Sequence, residues 1–423
     1  MTASCTPSVL GGKIKAISSK SDAHRILVCA ALSARTTKIK CNVMSKDIAA
    51  TIDCLKAMGT DILVNEDIIT VIPKSFNKKT ELDCGESGST LRFLMPLVSA
   101  LGMDATITGH GRLPQRPISP LKEEMEKKGI TFHTDNKFPL HLTGQLQSGE
   151  YEIKGNISSQ FITGLLMALP ILSGDSKIKI IPPFESKSYV DITISVLKKF
   201  GIEIEEQENL YIIKGNQKFV SPEEITVQGD WSNASFFLCA GALCEKGVTV
   251  TDLDINSPQG DKKILDVLKS MGANVEINEN QITVKKNELN GVVIDASDIP
   301  DLVPIISVVA TACNGETRVT GAERLRIKES DRIKSVVEML LSVGADAEET
   351  KDGIIIRGGS TLAGGMVNGY NDHRIVMSAS ILSTLCNGKI EITDSNAVEK
   401  SYPDFFNDFN KMGGNADVIN DRG

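Results

Sequence analysis

Apolar and polar positions along the chain follow a repeating phrase. An amphipathic helix ends in glycine, and a strand, a polar turn and a second strand follow it. The helices close at Gly59 (CLKAMG), Gly129 (EMEKKG), Gly201 (VLKKFG), Gly272 (VLKSMG), Gly344 (LLSVG) and Gly413 (FNKMG), roughly 70 residues apart. Glycine suits the residue after a helix C-terminus because that position often takes a left-handed backbone. Five of the six helices are followed by alternating runs such as Asp61 to Ile72 and Ala273 to Val284, which predict hairpins.

Each repeat holds a second helix that opens on small or polar residues: Ser21-Asp22, Gly88-Ser89-Thr90, Ser158-Ser159-Gln160, Ser232-Asn233, Pro300-Asp301 and Asn371-Asp372. The segments that follow, among them FITGLLMALPIL and LVPIISVVA, are apolar nearly all round. This is the pattern of a helix enclosed by sheets. A doubly wound parallel sheet fits less well, because G-x-G-x-x-G is absent and the hairpins imply antiparallel or mixed pairing.

The fold class is therefore α/β (α+β), with two domains of three repeats each. The first spans 16–227, and the second combines 1–15 with 228–423, with hinge crossings near 14–18 and 225–229. The last repeat lacks most of its hairpin after Gly413. An open sheet edge invites aggregation, so a strand within Met1 to Lys15 is expected to close it.

Composition narrows the function. With 423 residues, 41% hydrophobic and 24% charged, the chain is an ordinary globular protein too long for one core. Its longest apolar stretches fall short of the roughly 18–20 residues of a membrane span, and Lys13 already begins a lysine-rich stretch that leaves little room for a removable leader. Nine cysteines without a C-x-x-C pair fit neither a disulfide framework nor a zinc site and read as reduced cytosolic residues. A net charge of −8 argues against nucleic acid as a partner, so any anion site is a local gathering of cations.

Such gatherings occur at the helix starts, where unpaired amides and the helix dipole already favour anions. Lys20 and Arg25 flank the first, Arg92 follows the second, and Arg374 lies in the first turn of the last. Arg112 and Arg116 in GRLPQRP, Lys328 and Arg332 in RIKESDR, and Lys400 in EKSYPDFF lie in polar loops. A single surface arginine is usually solvated. Together these cations suit small, multiply charged phosphate and carboxylate ligands. Asp301 and Glu329 are the candidate general base and general acid, although an aspartate at a helix start often serves as an N-cap and Glu329 could merely pair with Arg332. His373 is a further candidate proton carrier.

At these motifs the chain resembles the 5-enolpyruvylshikimate-3-phosphate synthases of the enolpyruvyl transferase family, from about Lys13 to Phe406. The resemblance rests on SKSDAHR, GESGSTLRF, GRLPQRPI, SSQFITGLL, ESKSYVDIT, IPD, RLRIKESDR, NDHR and EKSYPDFF. It implies the inverse α/β prism, in which each domain holds three β-α-β-α-β-β units around central helices, with a ligand cleft between the domains. It also implies transfer of the enolpyruvyl (1-carboxyvinyl) group of phosphoenolpyruvate to the 5-hydroxyl of shikimate 3-phosphate, by a cytoplasmic and monomeric enzyme that needs no metal or cofactor and no membrane.

Carried over by position, shikimate 3-phosphate is expected at Lys20, Ser21, Arg25, Ser158, Ser159, Gln160, Ser186, Tyr189, Asp301 and Lys328. Phosphoenolpyruvate is expected at Lys20, Gly88, Arg92, Arg112, Gln160, Arg332, Arg374 and Lys400. Asp301, Glu329, Lys20 and His373 carry the chemistry in this reading. Glu86 stands where the commonest bacterial pattern has asparagine, and so does Arg324. The nearest rival, UDP-N-acetylglucosamine enolpyruvyl transferase, carries a cysteine in the loop matching Gly111 to Pro117, where this chain has none. A non-catalytic repeat protein that binds phosphorylated ligands is the alternative of another class.

Overall fold

The computed structural model describes residues 1–135 and 137–419. The chain divides into two compact units. A central unit runs Lys20–Val227, and a composite unit joins Met1–Ser19 to the chain from Gln228 onward.

The central unit contains three four-stranded sheets. In the first, the strands Glu224–Thr226, Thr37–Lys40, Ile68–Ile72 and Asp61–Asn65 lie in that order. The first pair is parallel and the other two pairs are antiparallel. The other two sheets repeat this pattern. Strand sequence sets which face is buried. In Ser176–Ile181, Ser176, Ile178 and Ile180 are buried while Lys177, Lys179 and Ile181 face outward, the period of two expected of a strand with one wet face.

The composite unit repeats the plan three more times, but the N-terminal segment enters it as two strands and not one. Thr2–Cys5 pairs antiparallel with both Ile390–Ile392 and Ala416–Ile419, completing the last sheet. Gly12–Lys15 pairs parallel with Val248–Thr251 at the edge of a different sheet. The segment expected to close one edge thus serves two sheets, the chain leaving strand geometry over residues 6–11 between them.

Helices of two kinds fill each unit. The amphipathic kind includes Lys46–Ala57, capped by the Ser45 hydroxyl, which accepts from the Ile48 amide at 3.3 Å; it buries Ile48, Ile52 and Leu55 against the core. All six helix-ending glycines have positive φ, from +74° at Gly201 to +115° at Gly59, so a side chain at any of them would strain the backbone.

The second kind is enclosed. Every residue of Trp231–Leu243 is buried, as are nearly all of Gly88–Ala100 and all of Val303–Thr311. Each unit has its own continuous core built on these helices, and each large apolar side chain buried there contributes about 1.5–3 kcal/mol. Two enclosed helices of the central unit approach each other closely at Gly164. A Cβ on that residue would lie 2.3 Å from the Arg92 carbonyl and 2.8 Å from Pro96 Cγ. Glycine at 164 therefore lets Ser159–Ala168 pack tightly on Gly88–Ala100.

Candidate active site

In the central unit, the starts of three enclosed helices carry the expected polar residues. Lys20 opens Lys20–Leu32 and its ammonium reaches Asp47 at 2.8 Å. Asp47 lies in the first turn of Lys46–Ala57, so a carboxylate holds the lysine in place.

Ser87 caps Gly88–Ala100 by accepting from the Thr90 amide at 3.2 Å. Ser158 caps Ser159–Ala168 by accepting from the Gln160 amide at 3.3 Å. The close helix packing at Gly164 then brings Gln160 across to the neighbouring helix. Its amide nitrogen donates to Ser89 at 3.0 Å and its carbonyl accepts from Arg92 at 3.1 Å. Ser186 has φ +53° and ψ +39° at the start of Lys187–Lys199 and is buried, a left-handed conformation uncommon for a residue with a side chain.

Two arginines expected to meet ligands are interior groups here. Arg25 is buried and donates to Thr193 (2.8 Å), Thr163 (3.3 Å), the Ser21 carbonyl and the Tyr189 carbonyl (2.9 Å), while it lies over the Phe93 ring. Burial pulls its pKa down to about 10. Arg92 is equally enclosed. It donates to the Pro117 carbonyl at 2.9 Å as well as to Gln160, tying the 111–117 loop to the helix pair. Arg112 in that loop is exposed. Gly88 lies against two guanidinium groups, since a Cβ there would come 2.6 Å from both Arg92 Nη1 and Arg116 Nη1.

In the composite unit the candidates converge on one carboxylate. Asp301 sits in a short helical turn, Pro300–Leu302, whose N-cap residue is Ile299. Its Oδ1 pairs with Arg332 Nη1 at 2.8 Å and Lys328 Nζ at 3.5 Å, and its Oδ2 pairs with Arg374 Nη2 at 3.3 Å. Burial alone would raise the Asp301 pKa, but Arg374, Lys328 and Arg332 outweigh it and hold the group well below the usual carboxylate range. Lys328 moves the other way: its burial lowers its pKa more than Asp301 and Glu329 raise it.

Arg332 is the hub of this cluster. Besides Asp301 it pairs with Glu329 at 2.8 Å and, through Nε, with Asp372 at 2.8 Å. Asp372 in turn caps His373–Leu382 by accepting from the Arg374 amide at 3.0 Å. Glu329 is thus paired to Arg332, but inside the cluster and not on an open surface. His373 is buried, with Nδ1 3.9 Å from Asp372. Lys400 donates to the Asn371 carbonyl at 2.6 Å, which two successive left-handed residues, Tyr370 (φ +53°) and Asn371 (φ +49°), present. Backbone of this kind concentrates at functional sites.

The sequence pattern of the family described as EPSP synthase (3-phosphoshikimate 1-carboxyvinyltransferase) matches residues 5–409. The chain belongs to this family. A relative from Clostridium novyi (strain NT) named 3-phosphoshikimate 1-carboxyvinyltransferase is 46% identical, with 97% of each chain covered. One of the same name from Clostridium kluyveri is 43% identical, with 98% of each covered. Among solved structures, an EPSP synthase from Acinetobacter baumannii superposes with a TM-score of 0.81 at 28% identity, covering 99% of this chain and all of that one. The enolpyruvyl transferase NikO from Streptomyces tendae shares the fold, with a TM-score of 0.79 at 16% identity over 98% of each chain. The mixed sheets and enclosed helices are thus the family's two-domain α/β fold.

Several residues that hold the candidate groups of each unit in place were not singled out from sequence. Asp372 read only as part of a polar helix opening, and Asp47 carried no signal, since its partner Lys20 lies 27 residues away. Asp261, which borders Arg374 and Ser232, carried none either. The nine cysteines are unpaired, and eight of them are buried. Among the described residues no helix is long and apolar enough to cross a membrane.

Proposed function

We propose that this protein transfers the enolpyruvyl group of phosphoenolpyruvate to the 5-hydroxyl of shikimate 3-phosphate, forming 5-enolpyruvylshikimate 3-phosphate and phosphate on the route to chorismate and the aromatic amino acids. Family membership supports this reading. The observation that carries it is a single carboxylate, Asp301, gripped by Lys328, Arg332 and Arg374.

In this reading the central unit's Lys20, Ser21, Ser158, Ser159, Gln160, Ser186 and Tyr189 bind shikimate 3-phosphate, with Arg25 acting from the interior by fixing the Tyr189 backbone. Asp301 and Lys328 contribute to the same substrate. Phosphoenolpyruvate takes Lys20, Gly88, Arg112, Gln160, Arg332, Arg374 and Lys400, with Arg92 holding Gln160 in position.

The chemistry is addition followed by elimination. The 5-hydroxyl attacks C2 of phosphoenolpyruvate as C3 gains a proton; a methyl proton and phosphate then leave the tetrahedral intermediate. Asp301 takes the hydroxyl proton, Glu329 and Lys20 move the methyl proton, and His373 supports proton traffic beside Asp372. A carboxylate held so far below its normal pKa is a weak base. Substrate anions that draw Arg374 and Lys328 onto themselves loosen that hold and raise its basicity. Each well-placed cation or donor on the developing charge contributes roughly 2.7–4 kcal/mol in a dry site. We place the enzyme in the cytoplasm as a monomer.

Phosphate release from phosphoenolpyruvate, with shikimate 3-phosphate or UDP-N-acetylglucosamine as acceptor, tests the proposal. Release only with the shikimate ester is expected; release only with the sugar nucleotide, or with neither, rejects it.

A further inference from the structure

One buried carboxylate lies against the Asp301 cluster without a part in the chemistry above. Asp261 is in the short helical turn Gly260–Lys263 and is 4% exposed. Gln259, two residues earlier, docks that turn on the start of Trp231–Leu243: its carbonyl accepts from the Trp231 amide at 3.1 Å and its amide donates to the Gly229 carbonyl at 2.8 Å. Lys262 anchors the turn from the other side, donating to the carbonyls of Ser257 (2.8 Å) and Ile255 (3.2 Å). Asp261 is thereby fixed beside Ser232, in the first turn of that helix, and the two side chains are hydrogen-bonded.

Ser232 already accepts from Arg374 Nη2 at 2.7 Å. A hydroxyl has one proton to give and two lone pairs. With a lone pair engaged by the guanidinium, the proton is free to bond the Asp261 carboxylate. The same Arg374 nitrogen reaches Asp301 Oδ2 at 3.3 Å, and Nη1 donates to the Asp301 carbonyl at 3.0 Å. The four groups form one chain: Asp261, Ser232, Arg374, Asp301.

We infer that Asp261 is a positioning residue for the enolpyruvyl transfer, which through the Ser232 hydroxyl fixes the Arg374 guanidinium against Asp301. The inference rests on the functional reading above and assigns it a part outside the groups expected to touch substrate.

A pH signature comes with this placement. The charged groups facing Asp261 are Asp301 from the Pro300–Leu302 turn, Asp230 at the cap of Trp231–Leu243, and Arg374 at the start of His373–Leu382. Burial first, then Asp301 and Asp230, push its pKa up to about 6, and Arg374 opposes them. An anion bound to Arg374 cancels that one opposing charge, so binding draws a proton onto Asp261. The wild-type KM for phosphoenolpyruvate should therefore rise as pH rises through about 6, by more than the substrate's own ionisation explains. Asp261→Asn is neutral throughout and keeps an oxygen for Ser232.

Kinetics of phosphate release by wild type, D261N, D261A and S232A test this. D261A and S232A should lose about tenfold or more in kcat/KM for phosphoenolpyruvate, with D261N within about threefold of wild type at about pH 6. The ratio of wild-type to D261N KM, in which the substrate's own titration cancels, should climb from near one at about pH 5.5 to about fivefold at about pH 8. D261N as impaired as D261A, undiminished D261A and S232A, or a pH-independent KM ratio overturns the inference. If D261A does not fold, D261N and S232A carry the test. A wild-type protein that releases no phosphate at all overturns the functional reading itself, a result separate from any of these.

Discussion

Arg332 and Asp372 form a two-point ion pair away from solvent: Nε to Oδ2 at 2.8 Å and Nη2 to Oδ1 at 3.1 Å, with the side chains 1% and 0% exposed. Ser330 adds a hydrogen bond to Oδ2 at 2.9 Å, and the Arg374 amide takes the remaining capacity of Oδ1. One carboxylate thereby holds the Arg332 guanidinium and caps the helix that carries Arg374. The pairing with acidic neighbours pushes the Arg332 pKa upward despite burial, so the guanidinium stays charged at any working pH.

Removing Asp372 leaves the buried Arg332 Nε without its acceptor, a cost of roughly 1–3 kcal/mol, while Asp301 and Glu329 still balance the charge. Asp372→Ala should lower the unfolding free energy by that order, and it also removes the cap of His373–Leu382. Urea titration of the variant against wild type measures it; a loss below about 1 kcal/mol would mean the pair is not acting as a buried one.

Gly164→Ala introduces a methyl group where 2.3 Å separates its position from the Arg92 carbonyl. Overpacking of this kind costs about 1–3 kcal/mol. Because the same helix contact sets the Gln160 to Arg92 bond, the variant should also raise KM while leaving the other unit's chemistry in place. Thermal melting together with steady-state kinetics checks both; a variant as stable as wild type contradicts the packing argument.

Replacing either carboxylate proposed to handle protons should act on turnover more than on binding. Asp301→Ala and Glu329→Gln are each expected to lower kcat by about 10²–10⁴-fold. Asp301→Ala should in addition destabilise the fold, because three cations lose a shared anion, whereas Glu329→Gln should leave Tm nearly unchanged. Near-native turnover in either variant removes that residue from its assigned role.

Stability should depend on pH through Asp261. Its folded-state pKa, about 6, lies above the ordinary aspartate value, so the folded protein binds this proton more tightly than the unfolded chain does. The associated stability is present at low pH and is lost as pH rises through about 6. Asp261→Asn should therefore melt higher than wild type near pH 7.5, and the difference should vanish near pH 4; scanning calorimetry at the two pH values decides it. Asp301 works in the opposite sense, since its depressed pKa contributes stability above the ordinary aspartate range that is lost only in stronger acid.

The fold was legible where a local rule had to be obeyed. Gly59, Gly129, Gly201, Gly272, Gly344 and Gly413 announced the helix ends because a left-handed residue is needed there, and the alternation in Asp61 to Ile72 announced a hairpin. The N-terminal segment was half legible: an open edge calls for a strand, but nothing local says that Gly12–Lys15 serves another sheet. In the site, Glu329 stood out because Lys328 and Arg332 crowd it in sequence, and Asp301 because it opens an apolar helix within the IPD motif. Asp372 and Asp261 did not, since their partners lie 40 residues away at Arg332 and 29 residues away at Ser232. Arg25 and Arg92 show the converse limit. A cation in the first turns of a helix looks the same in sequence whether its side chain is exposed or, as here, buried with hydrogen bonds to Thr193 and Gln160.

Turnover in heavy water with mass spectrometry of the products tests the central claim most directly. With phosphoenolpyruvate and shikimate 3-phosphate, the account predicts equal amounts of phosphate and a 5-enolpyruvyl ether carrying solvent deuterium in its methylene group, since C3 is protonated and later deprotonated. Recovery of both substrates unchanged, or an ether without deuterium, would contradict it.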